Sequence, residues 1–242
     1  MRERESDWLV GIVVPARDEA DHIEECVAAI RASLGRCRGV ASSWIVVVAD
    51  SCSDGTAERA RAAIAGAGEV IECEVSSPGS ARRIGVEALL RRFQGEALAR
   101  VWVANTDADS QPAPDWIQQQ LSLASSGYVG VAGIVHVDSI DGLDAAETAA
   151  LLKYYVVEND GSHPHVHGAN LGIRADTYVD VGGWSDLRLA EDHCLWSRVK
   201  ARSWPTISST SSVVVTSGRL MGRASGGFAD GLRRRLELRC AS

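Results

Sequence analysis

The amino-acid sequence predicts an α/β protein with a mostly parallel central sheet flanked by helices. The chain has 242 residues, which is enough to bury a sizeable core in one large domain or two small ones. Hydrophobic residues make up 45% and charged residues 24% of the sequence, the usual balance of a soluble globular protein. Apolar strand-like runs alternate with helical patterns through the first half, which favours parallel strands joined by right-handed crossovers. No linker, repeat or low-complexity segment divides the chain, so we expect a single domain.

Four apolar runs in the first half predict strands, and the intervening segments predict helices. The runs are rich in β-branched residues, as is typical of strands buried on both faces. Apolar residues recur at helical spacing after the first run, where Asp21 and Glu24 resemble a capping box, and Ser80 is a candidate cap for the third helix. The predicted strands cover 8–14, 44–49, 69–75 and 100–105, and the predicted helices cover about 23–34, 57–65 and 80–93.

The second half has a less regular pattern. It predicts helices over 115–124, 143–157 and 190–201, strands over 128–137 and 206–216, and a short extended segment over 171–174. Tyr154 and Tyr155 follow the helical pattern and are expected in the core. The glycine-rich segment 222–231 is expected to be mobile, and a basic helix containing 233–235 is expected to end the chain.

Composition excludes several classes of protein. Lys and Arg total 25 against 32 for Asp and Glu, a net charge of −7, which argues against non-specific binding to nucleic acid. No apolar run is long enough for a signal sequence core or a transmembrane helix, and the six cysteines show no zinc-binding spacing. We therefore expect a cytoplasmic protein with free thiols.

Polar and acidic residues follow each predicted strand of the first half. In open parallel sheets, ligands bind outside the carboxyl ends of the strands, so these segments are expected to meet at one edge. The segments are 15–19, 50–56, 76–83 and 105–110. Their convergence predicts a nucleotide or metal site.

Asp107 and Asp109 form the sharpest single signal. Residues i and i+2 of an extended chain point the same way, so the two carboxylates can share a hard cation such as Mg²⁺ or Mn²⁺. A solvated acidic turn is the alternative, although the pair directly follows a buried strand and Pro112 and Pro114 fix the chain after it. Neither a dinucleotide-binding glycine pattern nor a phosphate-binding loop follows any strand, which argues against a redox enzyme or a nucleoside triphosphatase.

Seven segments in order resemble the family 2 glycosyltransferases with the GT-A fold. They lie between residues 8 and 202 and are Val14-Pro-Ala-Arg-Asp-Glu19, Val48-Ala-Asp-Ser-Cys-Ser-Asp-Gly-Thr56, Gly79-Ser-Ala-Arg-Arg-Ile-Gly85, Asp107-Ala-Asp109, Gly168-Ala-Asn-Leu-Gly-Ile-Arg174, Gly182-Gly-Trp184 and Glu191-Asp192. The resemblance implies a Rossmann-like sheet with a nucleotide-sugar half over about 8–110. An acceptor and catalytic half would follow over about 111–220, and a C-terminal segment over 221–242.

The resemblance also implies a reaction and its site residues. The chain would transfer a sugar from a UDP- or GDP-sugar to a hydroxyl acceptor, which is a small molecule, a glycan or a lipid-linked molecule, with inversion at the anomeric carbon. Five residues would line the nucleobase and ribose pocket: Pro15, Ala16, Arg17, Glu19 and Asp50. Mg²⁺ or Mn²⁺ on Asp107 and Asp109 would hold the diphosphate together with Arg82. Asp192 would be the general base, and Glu191 would orient the site.

Other interpretations of these residues remain open at this stage. Glu191 and Asp192 also suit the exposed N-terminus of a helix, where carboxylates favour the dipole. Solvated surface positions would equally suit the arginines Arg17, Arg82 and Arg174. The two tryptophans, Trp184 and Trp196, suit either an acceptor site or the core. A nucleotidyltransferase is an alternative enzyme class, but the loop after the first strand lacks the expected glycines and lysine. A non-catalytic nucleotide-sugar-binding module is a second alternative.

The sequence departs from the family pattern in two places. Many relatives carry a histidine near the C-terminal strand, whereas this chain has Arg219 and Arg223, which could compensate for the charge of the diphosphate. A histidine stands at every second position directly before the segment that begins at Gly168, namely His163, His165 and His167. This pattern suits a transition-metal site, an acceptor contact or a polar loop. No exposed apolar stripe defines an oligomer, so the oligomeric state is left open.

Overall fold

The computed structural model describes residues 7–137, 139–140, 142–152 and 156–219, together with Arg233 and Leu236. Four of the sequence predictions therefore fall outside the described residues. These concern Tyr154 and Tyr155, the glycine-rich segment 222–231, Arg223, and the C-terminal basic helix apart from Arg233.

Among the described residues, one eight-stranded sheet forms the centre of the structure. The strands are β1 (Trp8–Ala16), β2 (Val40–Asp50), β3 (Gly68–Cys73), β4 (Val101–Asn105), β5 (Ser110–Pro112), β6 (Gly130–His136), β7 (Leu171–Arg174) and β8 (Thr206–Thr216). Their order is β3-β2-β1-β4-β7-β6-β8-β5. The pairs β2–β3, β1–β2, β1–β4 and β6–β8 are parallel, whereas β7 is antiparallel to β4 and β6, and β5 is antiparallel to β8. The predicted mostly parallel α/β sheet is confirmed.

The described residues form seven α-helices, six of which pack on the two faces of this sheet. The seven are α1 (Ile23–Arg36), α2 (Thr56–Ile64), α3 (Pro78–Arg92), α4 (Trp116–Ser125), α5 (Ala145–Leu151), α6 (Ala175–Asp180) and α7 (Glu191–Ala201). Strand β1 is apolar almost throughout because both of its faces are buried. Val10 and Ile12 pack with α1, α2 and α4 on one face, and Leu9 and Val13 pack with α3, α6 and α7 on the other. The sheet is therefore a buried middle layer, and its strand ends are the places left for polar residues.

Three details of the predicted helices are wrong. The capping box at Asp21 and Glu24 does not form, because the carbonyl of Glu19 accepts hydrogen bonds from the amides of His22 and Ile23 and the helix begins only at Ile23. Helix α3 begins earlier than expected, with Ser77 rather than Ser80 as the cap and Pro78 in the first turn. Within the described residues, the predicted helix 143–157 is limited to α5, which a capping box of Asp144 and Glu147 begins.

Two short elements had no sequence prediction. They are β5, with three residues, and α6, with six, and both are too short to show a periodic pattern. Among the residues that the structure describes, no helix has the length and apolarity that crossing a membrane requires.

Candidate active site

One cavity of about 880 Å³ lies at the carboxyl ends of the parallel strands. This volume is within the usual range for a small-molecule site. Every residue that the sequence predicted for the donor, metal and base roles lines the cavity: Pro15, Ala16, Arg17, Glu19, Asp50, Arg82, Asp107, Asp109, Glu191 and Asp192. Their convergence follows from the topology, because the loops after β1, β2 and β4 leave the sheet at the same edge.

The loops around the cavity hold unusual backbone conformations. Four non-glycine residues there have φ between 51° and 57°: Asp18 after β1, Ser51 after β2, Ser76 after β3 and Ala190 before α7. Such left-handed residues cost of order 1 kcal/mol each and persist only where surrounding contacts enforce them. The contacts of these loops therefore determine the shape of the cavity.

Asp50 provides one set of these contacts. Its Oδ1 accepts hydrogen bonds from the amides of Val75 and Ser76 at 2.8 and 2.9 Å, and its Oδ2 accepts one from the amide of Ser77 at 3.1 Å. The hydroxyl of Ser51 also donates to Oδ1, at 2.9 Å. The buried carboxylate thus fixes the loop between β3 and α3, and its Oδ2 has a lone pair left for a ligand.

Asp18, Cys52 and Asp54 form a second cluster in the neighbouring loops. Their ligand atoms lie within 4.8 Å of one another, but each side chain also has a partner in the protein. Asp18 accepts from the amide of Ser53 at 2.7 Å, Asp54 accepts from the amide of Ala20 at 3.1 Å, and the amide of Asp18 donates to Cys52 Sγ. The cluster joins the loops after β1 and β2.

Asp107 and Asp109, the D-x-D pair, lie directly after β4. Asp107 has a side chain 35% exposed, and its Oδ1 accepts a hydrogen bond from Arg82 Nη2 at 2.6 Å. The side chain of Asp109 is only 13% exposed, and its Oδ2 lies 2.9 Å from Arg219 Nη2. Burial and the nearby Asp107 carboxylate raise the pKa of Asp109 to about 6, although Arg219 opposes this shift. The pair is thus acidic, buried on one side and balanced by two arginines.

Arg82 connects this pair to the other end of the cavity. The residue is 3% exposed and lies on α3, and its Nη1 donates to Glu191 Oε1 at 2.5 Å while Nη2 binds Asp107. Its guanidinium also lies 5.3 Å from the ring centre of Trp184. One buried cation therefore holds the D-x-D segment and the Glu191-Asp192 segment within the span of a single side chain.

Asp192 and Glu191 occupy the first turn of α7. Asp192 is half-buried, with Oδ2 accepting from the amide of Gly168 at 3.0 Å and Oδ1 accepting from the amide of His193 at 2.7 Å. Burial raises the pKa of Glu191, and the adjacent Arg82 charge opposes the rise. The alternative of a solvated helix start is wrong for Glu191, which is buried against Arg82, while Asp192 faces the cavity.

The remaining predicted residues divide between cavity and core. Arg17 is exposed at the cavity, whereas Arg174 forms a bidentate ion pair with Asp176 away from it. Trp184 is buried beneath Arg82 and Trp196 is partly buried in the core, so the acceptor-stacking alternative for these tryptophans is wrong in this structure. His167, one of the three candidate histidines, also lines the cavity, whereas the cavity residues Arg188, Leu189 and His193 were not predicted. Their proximity to the Gly168 and Glu191 segments was the available signal.

The three histidines form a stack. The ring centres of His163 and His165 are 5.9 Å apart, and those of His165 and His167 are 6.1 Å apart, with nearly parallel planes. Ring nitrogens of His163 and His165 are bound to backbone carbonyls of His165 and Val156. The three rings do not form a metal-binding group among the described residues, and only His167 lines the cavity.

The D-x-D pair fits a divalent cation by its donor chemistry. Mg²⁺ and related cations are commonly bound by one or two carboxylates together with substrate phosphates, so no third protein ligand is needed. Among the described residues, the cavity lining has six carboxylates against four guanidinium groups. A diphosphate entering this cavity adds further negative charge, which a divalent cation would offset.

Gly168 gives a direct test of the contact between Arg82 and its carboxylates. A Cβ atom at this position would lie 2.4 Å from Arg82 Nη2, so Gly168→Ala is expected to push the guanidinium away from Asp107. We expect a loss of about 1–3 kcal/mol in unfolding free energy, measured by chemical denaturation. Gly35→Ala is the matched control, because a Cβ there meets open space within α1 and should stabilise by up to about 1 kcal/mol. Equal stability of the two variants would contradict the packing against Arg82.

The buried imidazole of His167 should make the unfolding free energy depend on pH. Burial lowers the pKa of its imidazole from 6.5 to about 4. The unfolded chain therefore takes up the proton first as the pH falls, so this contribution to stability is present above pH 6.5 and is lost on acidification towards pH 4. The difference corresponds to about 3 kcal/mol. His167→Gln should flatten the decline in melting temperature between pH 6.5 and 4, whereas the exposed His136→Gln should leave its slope unchanged.

Comparisons with known proteins agree with this geometry. The fold is that of the GT-A glycosyltransferases. One similar structure is a mannosyltransferase from Pyrobaculum calidifontis in complex with GDP-Man and Mn²⁺. It matches with a TM-score of 0.62 and 21% sequence identity, over 94% of this chain and 60% of that one. S. aureus TarS 1–349 in complex with UDP-GlcNAc matches with a TM-score of 0.64 and 12% identity, over 95% of this chain and 64% of that one. The chain thus spans less than two thirds of the length of either protein.

The sequence itself identifies the family. The model of glycosyl transferase family 2 matches residues 11–178, and the chain belongs to this family. No curated protein matches the sequence significantly.

Proposed function

We propose that this chain transfers a sugar from a nucleoside-diphosphate donor to a hydroxyl acceptor, with inversion at the anomeric carbon. One observation carries the proposal: a single cavity brings together the D-x-D pair, Arg82 and Asp192. Arg82 contacts both Asp107 and Glu191, so the proposed donor and base ends of the site belong to one connected structure. Membership of family 2 and the two ligand-bound neighbours support the same reaction.

The donor is proposed to lie along the ends of β1, β2 and β4. The base and ribose would be surrounded by Pro15, Ala16, Arg17, Glu19 and Asp50. Asp50 Oδ2 would accept a hydrogen bond from a base N–H. The neighbours bind GDP-Man and UDP-GlcNAc, so the proposed donor is a GDP- or UDP-sugar. The nucleotide-sugar half would be residues 8–110, and the acceptor half would be 111–220.

Asp107 and Asp109 are proposed to hold Mg²⁺ or Mn²⁺ at the diphosphate. When bound, the cation would stabilise the negative charge that develops on the leaving nucleoside diphosphate. Arg82 lies beside the same carboxylates and would keep Asp107 oriented through its 2.6 Å hydrogen bond. The mannosyltransferase neighbour is described with Mn²⁺, which supports this choice of cofactor.

Asp192 is proposed to be the general base. It would take the proton of the acceptor hydroxyl as that oxygen forms a bond to the anomeric carbon, while the bond from that carbon to the diphosphate oxygen breaks. Attack opposite the leaving group inverts the configuration. The amides of Gly168 and His193 hold the two carboxylate oxygens of Asp192 in place, and Glu191 would orient the segment through Arg82.

The two alternative functions have less support. A nucleotidyltransferase would need a glycine-rich, lysine-containing loop after β1, and this chain has Pro15-Ala-Arg-Asp-Glu19 there. A non-catalytic sugar-nucleotide module would not require Asp192 to be oriented by two amides toward the cavity. Both alternatives still predict nucleotide binding, so the experiments must separate binding from turnover.

Metal-supported donor binding tests the proposed site. In thermal-shift titrations, one of UDP and GDP should stabilise the wild-type chain more in Mn²⁺ than without it, because a ligand bound to the folded state raises its stability. Asp107→Asn and Asp109→Asn should each remove the Mn²⁺-dependent part of the shift. Asp115→Asn, at the start of α4 and outside the cavity lining, is the control. Equal shifts with and without Mn²⁺ in the wild type would overturn the metal proposal.

A further inference from the structure

Arg219 connects two distant parts of the cavity wall. Its Nη1 and Nη2 donate to Glu19 Oε2 and Oε1 at 2.9 and 2.6 Å, and Nη2 also lies 2.9 Å from Asp109 Oδ2. Arg219 lies three residues beyond the end of β8, and Glu19 lies in the loop after β1. A single guanidinium therefore contacts one member of the D-x-D pair and both carboxylate oxygens of a buried glutamate.

The segment carrying Arg219 is held against the D-x-D loop by its own contacts. Strands β5 and β8 pair Ser110 with Thr216, whose side chains share a 2.8 Å hydrogen bond. The amide of Ser217 donates to the carbonyl of Asp109 at 3.1 Å. On the other side, a Cβ at Gly218 would lie 1.8 Å from the carbonyl oxygen of Ser139, so only glycine allows the chain to pass there. The position of Arg219 beside Asp109 is thus built into the fold.

This arrangement affects how a cation reaches the D-x-D pair. One oxygen of Asp107 is bound by Arg82, and one oxygen of Asp109 is bound by Arg219. A divalent cation placed on the same two carboxylates would be repelled by both guanidinium groups at short range. A diphosphate can relieve the repulsion, because its oxygens accept hydrogen bonds from arginine and also coordinate the metal.

We propose that Arg219 is the counter-cation of Asp109 and weakens metal binding to the D-x-D pair until a diphosphate is present. The metal then binds tightly only together with the diphosphate. This inference rests on the proposed function. In the structure Arg219 binds Glu19 and Asp109. When the nucleoside diphosphate enters, the guanidinium transfers to the diphosphate, which frees Asp109 for the metal and Glu19 for the ribose hydroxyls. Arg219 is therefore a positioning residue that makes donor and metal binding cooperative.

The test measures Mn²⁺ binding to the free protein by calorimetry and by the loss of the free Mn²⁺ signal in electron paramagnetic resonance. Arg219→Gln should bind Mn²⁺ alone about tenfold more tightly than the wild type, a typical size for coupling between two sites. Arg174→Gln removes the same charge from a residue that pairs with Asp176 outside the cavity lining, and its Mn²⁺ affinity should equal that of the wild type. Arg219→Lys, which retains the charge, should stay close to the wild type.

The same proteins are then titrated with UDP and GDP in the presence and absence of Mn²⁺. In the wild type, the nucleotide should increase the affinity for Mn²⁺ about tenfold, and Arg219→Gln should lose most of this cooperativity. A residue with a purely structural role would weaken both ligands, because its loss would not strengthen metal binding. Equal Mn²⁺ affinity of the wild type and Arg219→Gln would overturn the inference.

A second variant covers the case in which Arg219→Gln fails to fold. Glu19→Gln/Arg219→Gln removes the guanidinium together with the more deeply buried of its two carboxylate partners, so that only Asp109 loses its pairing with Arg219. It should show the same gain in Mn²⁺ affinity, and no gain would overturn the inference. Failure of the proposed function has a different signature, because the wild type would then show no response to UDP, GDP or their sugars at any Mn²⁺ concentration.

Discussion

Asp192→Asn is expected to abolish sugar transfer while leaving donor binding intact. Asparagine has nearly the shape of aspartate, and its side-chain oxygen can still accept the hydrogen bond from the amide of Gly168. It cannot take the proton of the attacking hydroxyl, and a positioned general base contributes about 10²–10⁴-fold to a rate. We expect kcat to fall by at least about 10²-fold, measured as nucleoside-diphosphate release, with the donor Kd from calorimetry changed less than about threefold.

The control for this variant is Asp180→Asn. Asp180 is an exposed carboxylate at the end of α6 that pairs with Arg202 outside the cavity. Its replacement should change neither kcat nor the donor Kd. If Asp192→Asn loses donor binding and turnover to the same extent, Asp192 has a structural role, and if turnover is unchanged another group is the base.

Arg82→Met is expected to cause the largest loss of stability in the site. The substitution leaves the buried carboxylate of Glu191 and the half-buried one of Asp107 without their shared cation. Removing one partner of a buried ion pair costs about 3–5 kcal/mol because the remaining charge is uncompensated. We expect a loss of about 3 kcal/mol in unfolding free energy, measured by urea denaturation at neutral pH.

Two further variants identify the source of this loss. Arg82→Met/Glu191→Gln removes the buried negative charge as well and should recover part of the stability, which a double-mutant cycle measures. Arg174→Met breaks the more exposed pair with Asp176 and should cost no more than about 1 kcal/mol. A loss for Arg82→Met as small as that for Arg174→Met would show that the bridge to Asp107 and Glu191 is energetically unimportant.

The place of the site could be predicted from the sequence because it follows from the topology of a parallel sheet alone. Buried parallel strands are recognisable from continuous apolar runs, and their carboxyl ends must meet at one edge. The polar residues after β1, β2 and β4 line the cavity for this reason. The position of Asp192 at the same cavity depended on the family resemblance, because local sequence does not show that the start of α7 faces these strands.

The ion pairs of the site could not be predicted from the sequence. Arg82 and Glu191 are 109 residues apart, and Arg219 and Glu19 are 200 residues apart. Nothing local distinguishes such arginines from surface charges, because their pairing depends on how α3, α7 and the segment after β8 pack on the sheet. The short elements β5 and α6 were missed for a related reason, since tertiary contacts rather than periodic patterns define them.

Calorimetric titration of the wild-type chain with UDP- and GDP-sugars in Mn²⁺, with NAD as the comparison ligand, is the decisive test that this cavity binds a sugar nucleotide. We expect saturable binding of sugar nucleotides with one of the two bases, and no heat with NAD. Binding of NAD without a response to any UDP- or GDP-sugar, in a chain shown to be folded, would rule out the proposed sugar-nucleotide site.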